Sequence, residues 1–203
     1  KLSAVRCMLA YAAQLGQEVH QMDIKTAYLN APIQEKVYLR QPEGFEEYDK
    51  DGTVLFCKLN KSLYGLKQAG RNWYLTISEY LGSLGFVPSK NDHCLFIMKK
   101  GTVFNYVCLW VDDLIYFSTD TGFNDIFPGQ IASRFSISDQ SRLKWFLGMK
   151  VDFGANGAIS INQAQYIRDL LRKFGMEDCK PVSAPGVEKV RFSRECCPEL
   201  GSL

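Results

Sequence analysis

The sequence predicts an α+β fold, an antiparallel sheet packed on helices, and three observations carry that prediction. Apolar residues recur at helical spacing in some blocks and alternate in others, so helices and mostly antiparallel strands follow one another in blocks. The strand-like blocks stand next to one another with short turn signals between them, as antiparallel pairing requires. The 203 residues, 46% hydrophobic and 23% charged, suffice for one substantial core.

The elements follow in order. "LSAVRCMLAYAAQLG" sets Leu2, Val5, Met8, Leu9 and Ala12 on one helical face, and Gly16 ends it. "EVHQMDI" alternates, with His20, Met22 and Ile24 on one side and Val19, Gln21 and Asp23 on the other. "KVYLRQP" and "VLFCKLN" read as short strands. A helix is expected between Ala69 and Gly85, where Trp73, Ile77, Tyr80, Leu81 and Leu84 form a stripe. "HCLFIMKK", "VFNYVCLW" and "LIYFST" are three strands, and the last two flank a Val-Asp-Asp triplet at or near a hairpin turn. "NDIFPGQIASRF" reads as a helix if Pro128 lies in its first turn. "LKWFLGMKVDF" and "AISIN" are strands around the turn "GANG". "QAQYIRDLLRKFG" is a helix with Asn162 as N-cap, Ile167, Leu170, Leu171 and Phe174 on one face, and Gly175 as its stop. Beyond "KPVSAPG" the pattern dissolves into a charged tail, 186–203.

Composition excludes several classes. No run approaches the roughly 18 apolar residues of a membrane span, and neither a signal peptide nor a membrane partner is expected. A net charge of +2 does not mark a nucleic-acid binder, so such binding would need a local patch. The seven cysteines form no CxxC pair, and Cys7, Cys57, Cys94 and Cys108 sit in apolar surroundings. Buried, reduced thiols in an intracellular protein are therefore expected. His93-Cys94 lacks the second pair that zinc requires.

The chemistry lies in "CLWVDDLIYF". No lysine or arginine occurs between Lys100 and Arg134 to neutralise Asp112 and Asp113. At a turn the two carboxylates leave the core while the flanking strands remain in it. They still repel, and a divalent cation with a taste for hard oxygen ligands, Mg2+ or Mn2+, relieves that. Two ions need a further carboxylate, and Asp23 on its alternating strand is the candidate. A solvated turn is the alternative reading of the pair.

Five motifs in order, "MDIKTAYLN" (22–30), "SLYGLKQAGRNWY" (62–74), "LWVDDLI" (109–115), "WFLGMKV" (145–151) and "QYIRDLLRKFGMEDCKPVSAP" (165–185), closely resemble the reverse transcriptase of Ty1/copia-type retrotransposons. The resemblance runs from "KLSAVRCML" to "KVRFS". It implies a right-hand polymerase palm with partial fingers and the start of a thumb. The palm is expected at 1–35 and 86–153, the finger-proximal second motif at 36–85, and the primer-grip exit and thumb start at 154–185. It implies an RNA-directed DNA polymerase using an RNA template, a DNA primer and dNTPs, within a Pol polyprotein that also carries further fingers, RNase H and integrase. The setting would be a cytoplasmic particle or the nucleus.

By that resemblance Asp23, Asp112 and Asp113 hold two Mg2+ or Mn2+ ions, with the main-chain carbonyl of Ile24 completing the coordination. Tyr28, five residues after Asp23, matches the aromatic that packs under the sugar and excludes a 2′-hydroxyl. Tyr64 and Gly65 lie against the incoming nucleotide, and Lys67, Gln68 and Arg71 open the following helix toward the template. The same stretch mimics a P-loop, but Arg71 and Asn72 stand where Lys and Ser/Thr are needed. Phe146, Leu147, Gly148 and Met149 match the primer-grip hairpin, with a plain core strand as the alternative. Arg168 and Arg172 share a helix face at i, i+4, suited to backbone phosphates or simply solvated.

Several positions depart from the family pattern. Trp110, placed by the resemblance at the template–primer, stands where tyrosine is usual, and Gly70 replaces a proline. "SDQSRLKWF" lacks a glycine, and "FPGQ" interrupts a helix. The upstream basic finger segment is expected to be missing, so the chain is read as truncated at both ends and unable by itself to extend a primer. The alternative function is a non-catalytic, degenerate or host-adopted fragment that folds and binds nucleic acid or protein.

Overall fold

The computed structural model describes residues 2–120 and 122–184 of the chain, so the expected tail at 186–203 lies outside the described residues. The chain divides into two units, Lys1–Asn162 and Gln163–Leu203.

In the first unit, helix α1 (Leu2–Gln14) leads into strand β1 (His20–Ile24) and a 3-10 turn at Ala27–Asn30. A two-stranded ribbon follows, β2 (Tyr38–Arg40) with β3 (Phe56–Lys58), then helix α2 (Ala69–Ser83). Strands β4 (Val87–Pro88), β5 (Leu95–Lys100), β6 (Val103–Trp110) and β7 (Asp113–Ser118) precede helix α3 (Gly122–Ala132). Strand β8 (Ile137–Arg142) returns to β1, and β9 (Trp145–Phe146), β10 (Met149–Phe153) and β11 (Ile159–Asn162) form a separate three-stranded sheet. The main sheet has six strands in the order β4-β5-β6-β7-β1-β8, all antiparallel.

Alternation along the strands explains the layers. Val107, Leu109, Leu114 and Tyr116 face α2 and α3, meeting Trp73, Ile77, Leu81, Phe127 and Ile131. Cys108, Ile115 and Phe117, one step out of phase, face Val5, Met8 and Ala12 of α1 and Phe146, Met149 and Val151 of the small sheet. The sheet is thus buried on both faces, which is why its central strands read as nearly unbroken apolar runs.

Some expectations fail for physical reasons. Pro128 sits inside α3, not in its first turn. It has no N–H to offer the Asn124 carbonyl, and the burial of Phe123, Phe127 and Ile131 outweighs that loss. Cys7 and Cys57 are exposed and Cys94 half-buried, so only Cys108 meets the expected burial, because α1 and β3 turn the first two outward. In the second unit, helix α4 (Ala164–Lys173) is capped by Gln163, one residue after the expected Asn162, with no side-chain cap bond. The predicted apolar face of α4 is present, but Ile167, Leu170 and Phe174 are exposed. Among the described residues no helix is long and apolar enough to cross a membrane.

Candidate active site

Antiparallel pairing of β1 with β7 sets Asp23 directly opposite Asp113. Opposite residues in such a pair have Cα atoms about 4.5–5.5 Å apart and point to one face. That face also carries Ile115 and Phe117, on the side of the small sheet. Asp112 occupies the loop between β6 and β7, where Trp110 pairs with Asp113 across Val111 and Asp112. The Ile24 N–H donates to the Asp112 carbonyl at 2.8 Å, tying the first motif to the hairpin.

The hairpin is strained and held. Val111 adopts φ 54°, a left-handed conformation hostile to a β-branched residue. Trp73 on α2, 1% exposed, donates its indole N–H to the Val111 carbonyl at 2.6 Å and props the loop from beneath. Behind it lies a cavity of about 220 Å³ lined by Tyr28, Trp73, Cys94, Leu109 and Trp110.

Among the described residues no lysine, arginine or histidine forms an ion pair with Asp23, Asp112 or Asp113. Burial, and then the charges of Asp23 and Asp112, push the Asp113 carboxyl above its ordinary value. Ser138 on β8 donates to Asp23 Oδ2 at 2.7 Å. A register shift opposite Gln21 and Asp23 adds one residue to β8 and brings Ser138 to that position. Tyr64 donates its hydroxyl to Asp112 Oδ2 at 2.8 Å, while Asp112 Oδ1 is buried with no hydrogen-bond partner among the described residues. Among the described residues no three His, Cys, Asp or Glu side chains stand ready to hold an ion.

Tyr28 rises from the 3-10 turn after Thr26, itself left-handed at φ 49°. Its ring lies 4.3 Å from that of Tyr64, centroid to centroid. The Tyr64 loop is anchored at Ser62, whose N–H donates to the Ala31 carbonyl and whose hydroxyl accepts from Asn72. Burial, then the bond to Asp112 and that carboxylate's charge, push the Tyr64 phenol up to about 12. Gly65 has φ +95° and open space where a Cβ would stand, so here backbone conformation, not crowding, calls for glycine. Gln68 caps α2, with Lys67 exposed before it and Arg71 exposed in the first turn. Gln68 and Arg71 border a cavity of about 400 Å³ that also reaches Gln34 and Glu35.

A hairpin stands where the grip motif was expected, with Phe146 paired to Met149 across Leu147 and Gly148. Phe146 and Met149 are buried in the core beside α1, leaving Gly148 exposed and Leu147 half-buried at the tip. Trp110, 38% exposed, stands at the end of β6. Arg168 and Arg172 belong to the second unit, where Arg172 already pairs with Asp169 at 3.6 Å and Glu177 at 3.3 Å. Sequence reasoning missed Ser138 and Trp73 as site residues. Ser138 lies in a polar edge strand with no apolar alternation to reveal it, and Trp73 reads only as helix core.

A family model described as reverse transcriptase (RNA-dependent DNA polymerase) matches residues 1–188. The chain is 36% identical over 201 residues to the retrovirus-related Pol polyprotein from transposon TNT 1-94 of Nicotiana tabacum, covering 98% of this chain and 15% of that protein. It is 36% identical to the Pol polyprotein from transposon RE1 of Arabidopsis thaliana, covering 95% of this chain and 13% of that protein. Against the truncated transposon Ty1-A Gag-Pol polyprotein of Saccharomyces cerevisiae it is 39% identical over 122 residues, 60% of this chain and 9% of that protein.

Proposed function

We infer the function from one premise: this chain belongs to the reverse transcriptase (RNA-dependent DNA polymerase) family, of the Ty1/copia type. We propose that it is the polymerase segment of a retrotransposon Pol polyprotein, adding nucleotides from dNTPs to a primer 3′-hydroxyl along an RNA template. The observation that carries the reading is the pairing of Asp23 with Asp113 on neighbouring strands, with Asp112 in the adjoining turn. Residues 1–35 and 86–153 serve as the palm, 36–85 as the finger-proximal region and 154–185 as the exit and thumb start. Further fingers, RNase H and integrase are the partners within the longer polyprotein.

The donor set, three carboxylates and a main-chain carbonyl, has the hard-oxygen chemistry that Mg2+ or Mn2+ takes. Among the described residues, three carboxylates have no cationic partner and one buried oxygen of Asp112 has no hydrogen-bond partner. Asp23, Asp112, Asp113 and the Ile24 carbonyl would hold the ions. When bound, such ions neutralise the triphosphate charge and favour the attacking and leaving oxygens of an in-line displacement. The chain's own side chains position the reactants. Tyr28 packs against the sugar and leaves no room for a 2′-hydroxyl, and Tyr64 and Gly65 border the nucleotide. Lys67, Gln68 and Arg71 meet the template strand at the exposed start of α2, and Trp110 closes the hairpin side. Leu147 and Gly148 present the grip tip to the primer, with Phe146 and Met149 holding that tip from the core.

A graft tests this. This chain, placed in the tobacco polyprotein in exchange for the segment it matches, is expected to support Mg2+- or Mn2+-dependent extension of oligo-dT on poly-A. Asp113→Asn in the graft should lower extension by about 10²–10³-fold, the usual cost of losing one charge-stabilising group. Extension that survives Asp113→Asn unchanged would sink the reading.

A further inference from the structure

One side chain covers both groups on which the proposed site depends. The Tyr64 hydroxyl holds Asp112 Oδ2, and the Tyr64 ring lies on Tyr28. The other oxygen of Asp112 is sealed from solvent with no partner among the described residues. Asp112 therefore presents neither oxygen to an incoming ion. Leaving a buried acceptor unsatisfied is costly, so this orientation persists only while something holds it. Tyr64 is that something, and it is built to let go. It is 51% exposed, its hydroxyl meeting Asp112 and the Tyr28 backbone and its ring meeting the ring of Tyr28. Gly65 follows it in a left-handed conformation with open space around it, while Ser62 before it is fully buried. The loop thus has a buried root and an exposed tip, closed by the Leu66 N–H donating to the Leu63 carbonyl.

We propose that Tyr64 is a latch on the unliganded site: its hydroxyl withholds Asp112 from the ion, and its ring covers the face of Tyr28 that would meet the sugar. Ion binding frees Asp112 to turn toward Asp23 and Asp113, releases Tyr64 and uncovers Tyr28. Metal and nucleotide sites are thereby coupled through a single residue, which positions rather than reacts. The latch rests on the reading of Asp23, Asp112 and Asp113 as ion ligands. It differs from an ordinary outer-shell role, in which a hydroxyl orients a ligating carboxylate and strengthens metal binding.

The sign of one mutation separates the two. Mn2+ titration of the 203-residue chain, read by the EPR signal of free ion, compares wild type, Tyr64→Phe and Asp112→Asn. Tyr64→Phe keeps the ring and removes only the hydroxyl of a half-exposed residue, so folding is not at stake. Relieving a closed state raises apparent affinity by the inverse of the open fraction, here about three- to tenfold. Asp112→Asn should weaken binding. In a parallel Mg2+ titration of chain carrying 13C-labelled tyrosine, the ring signals of Tyr64 and Tyr28 should move together in wild type. Equal or weaker Mn2+ binding by Tyr64→Phe, with Asp112→Asn still impaired, overturns the latch and leaves the ion site standing. Binding indifferent to both substitutions overturns the ion site, and the latch with it.

Discussion

Two tight hairpins, each with a two-residue loop that opens on a left-handed apolar residue, are held in different ways. Each has a two-residue loop, Val111-Asp112 between β6 and β7 and Leu147-Gly148 between β9 and β10. Each places a large apolar residue in the left-handed region, Val111 at φ 54° and Leu147 at φ 51°. Gly148 follows Leu147 with φ 74°, so the second loop has the two positive φ angles of a favoured hairpin turn. The first has one, on a β-branched residue, where that geometry prefers glycine. Strain of this kind survives only where the surroundings over-determine it. At Val111 they do: Trp73 bonds its carbonyl, the Ile24 N–H bonds the next carbonyl, and Tyr64 bonds the next side chain. At Leu147 the support is packing alone, through Phe146 and Met149. The loop that carries carboxylates is thus pinned by directional bonds, and the loop without charge rests on a core.

The largest expected effect comes from removing the props. Trp73→Phe keeps an aromatic in the core but loses the bond to Val111 and part of the ring volume. A cost of about 2–3 kcal/mol follows from the lost hydrogen bond plus the void. Phe146→Leu, its counterpart at the other hairpin, changes packing only and should cost about 1 kcal/mol. Urea unfolding of the two variants checks the order. Equal costs would mean that the indole N–H adds nothing.

A smaller effect tests the strain itself. Val111→Gly removes a left-handed penalty of about 1–2 kcal/mol and pays back about 0.5–1 kcal/mol in chain entropy, so stability should rise slightly. Leu147→Gly gains the same backbone relief but gives up a side chain packed against the second core, and should lower stability. Melting shifts of opposite sign are expected. A loss at both loops would show that Val111 is not strained.

The same contrast explains what the sequence could reveal. Asp112 and Asp113 stood out because charge in an apolar run with no nearby cation is conspicuous, and the hairpin followed from strands on either side. Asp23 followed from alternation, which fixes the face of a strand residue once its register is known. Ser138 did not follow, because its contact with Asp23 spans 115 positions and its strand, "ISDQSR", sits at the sheet edge where polar residues are tolerated. Trp73 was legible as core but not as a hydrogen-bond donor, since helical periodicity says which face is buried and nothing of what an indole meets there. Pro128 shows the reverse: local propensity excluded it from a helix interior, and burial of its aromatic neighbours overruled it. Cys7 and Cys57 show that apolar neighbours in sequence need not be neighbours in space.

The smallest effect concerns charge, and it has a sign. Burial and the charges of Asp23 and Asp112 raise the Asp113 pKa in the folded chain above its ordinary 3.8. The folded state therefore holds the Asp113 proton more tightly than the unfolded state does. Stability from this group is fully present below pH 3.8 and is lost as pH rises through the raised value. At neutral pH the ionised Asp113 is thus a net liability without metal, and Asp113→Asn should stabilise the metal-free chain. Asp113 is partly open to solvent, so screening holds the gain to about 1 kcal/mol or less. The advantage of the variant should vanish as pH falls below 3.8, where wild type is protonated too. No such reversal is expected for Gly148→Ala at the uncharged hairpin, whose effect on stability should be independent of pH. Adding Mg2+ at neutral pH should also reverse the order, because a ligand that binds only the folded state stabilises the chain that keeps its carboxylate. Thermal melts at two pH values, with and without Mg2+, measure all three comparisons. A gain from Asp113→Asn that persisted in acid would mean that its source is packing and not repulsion among the three carboxylates.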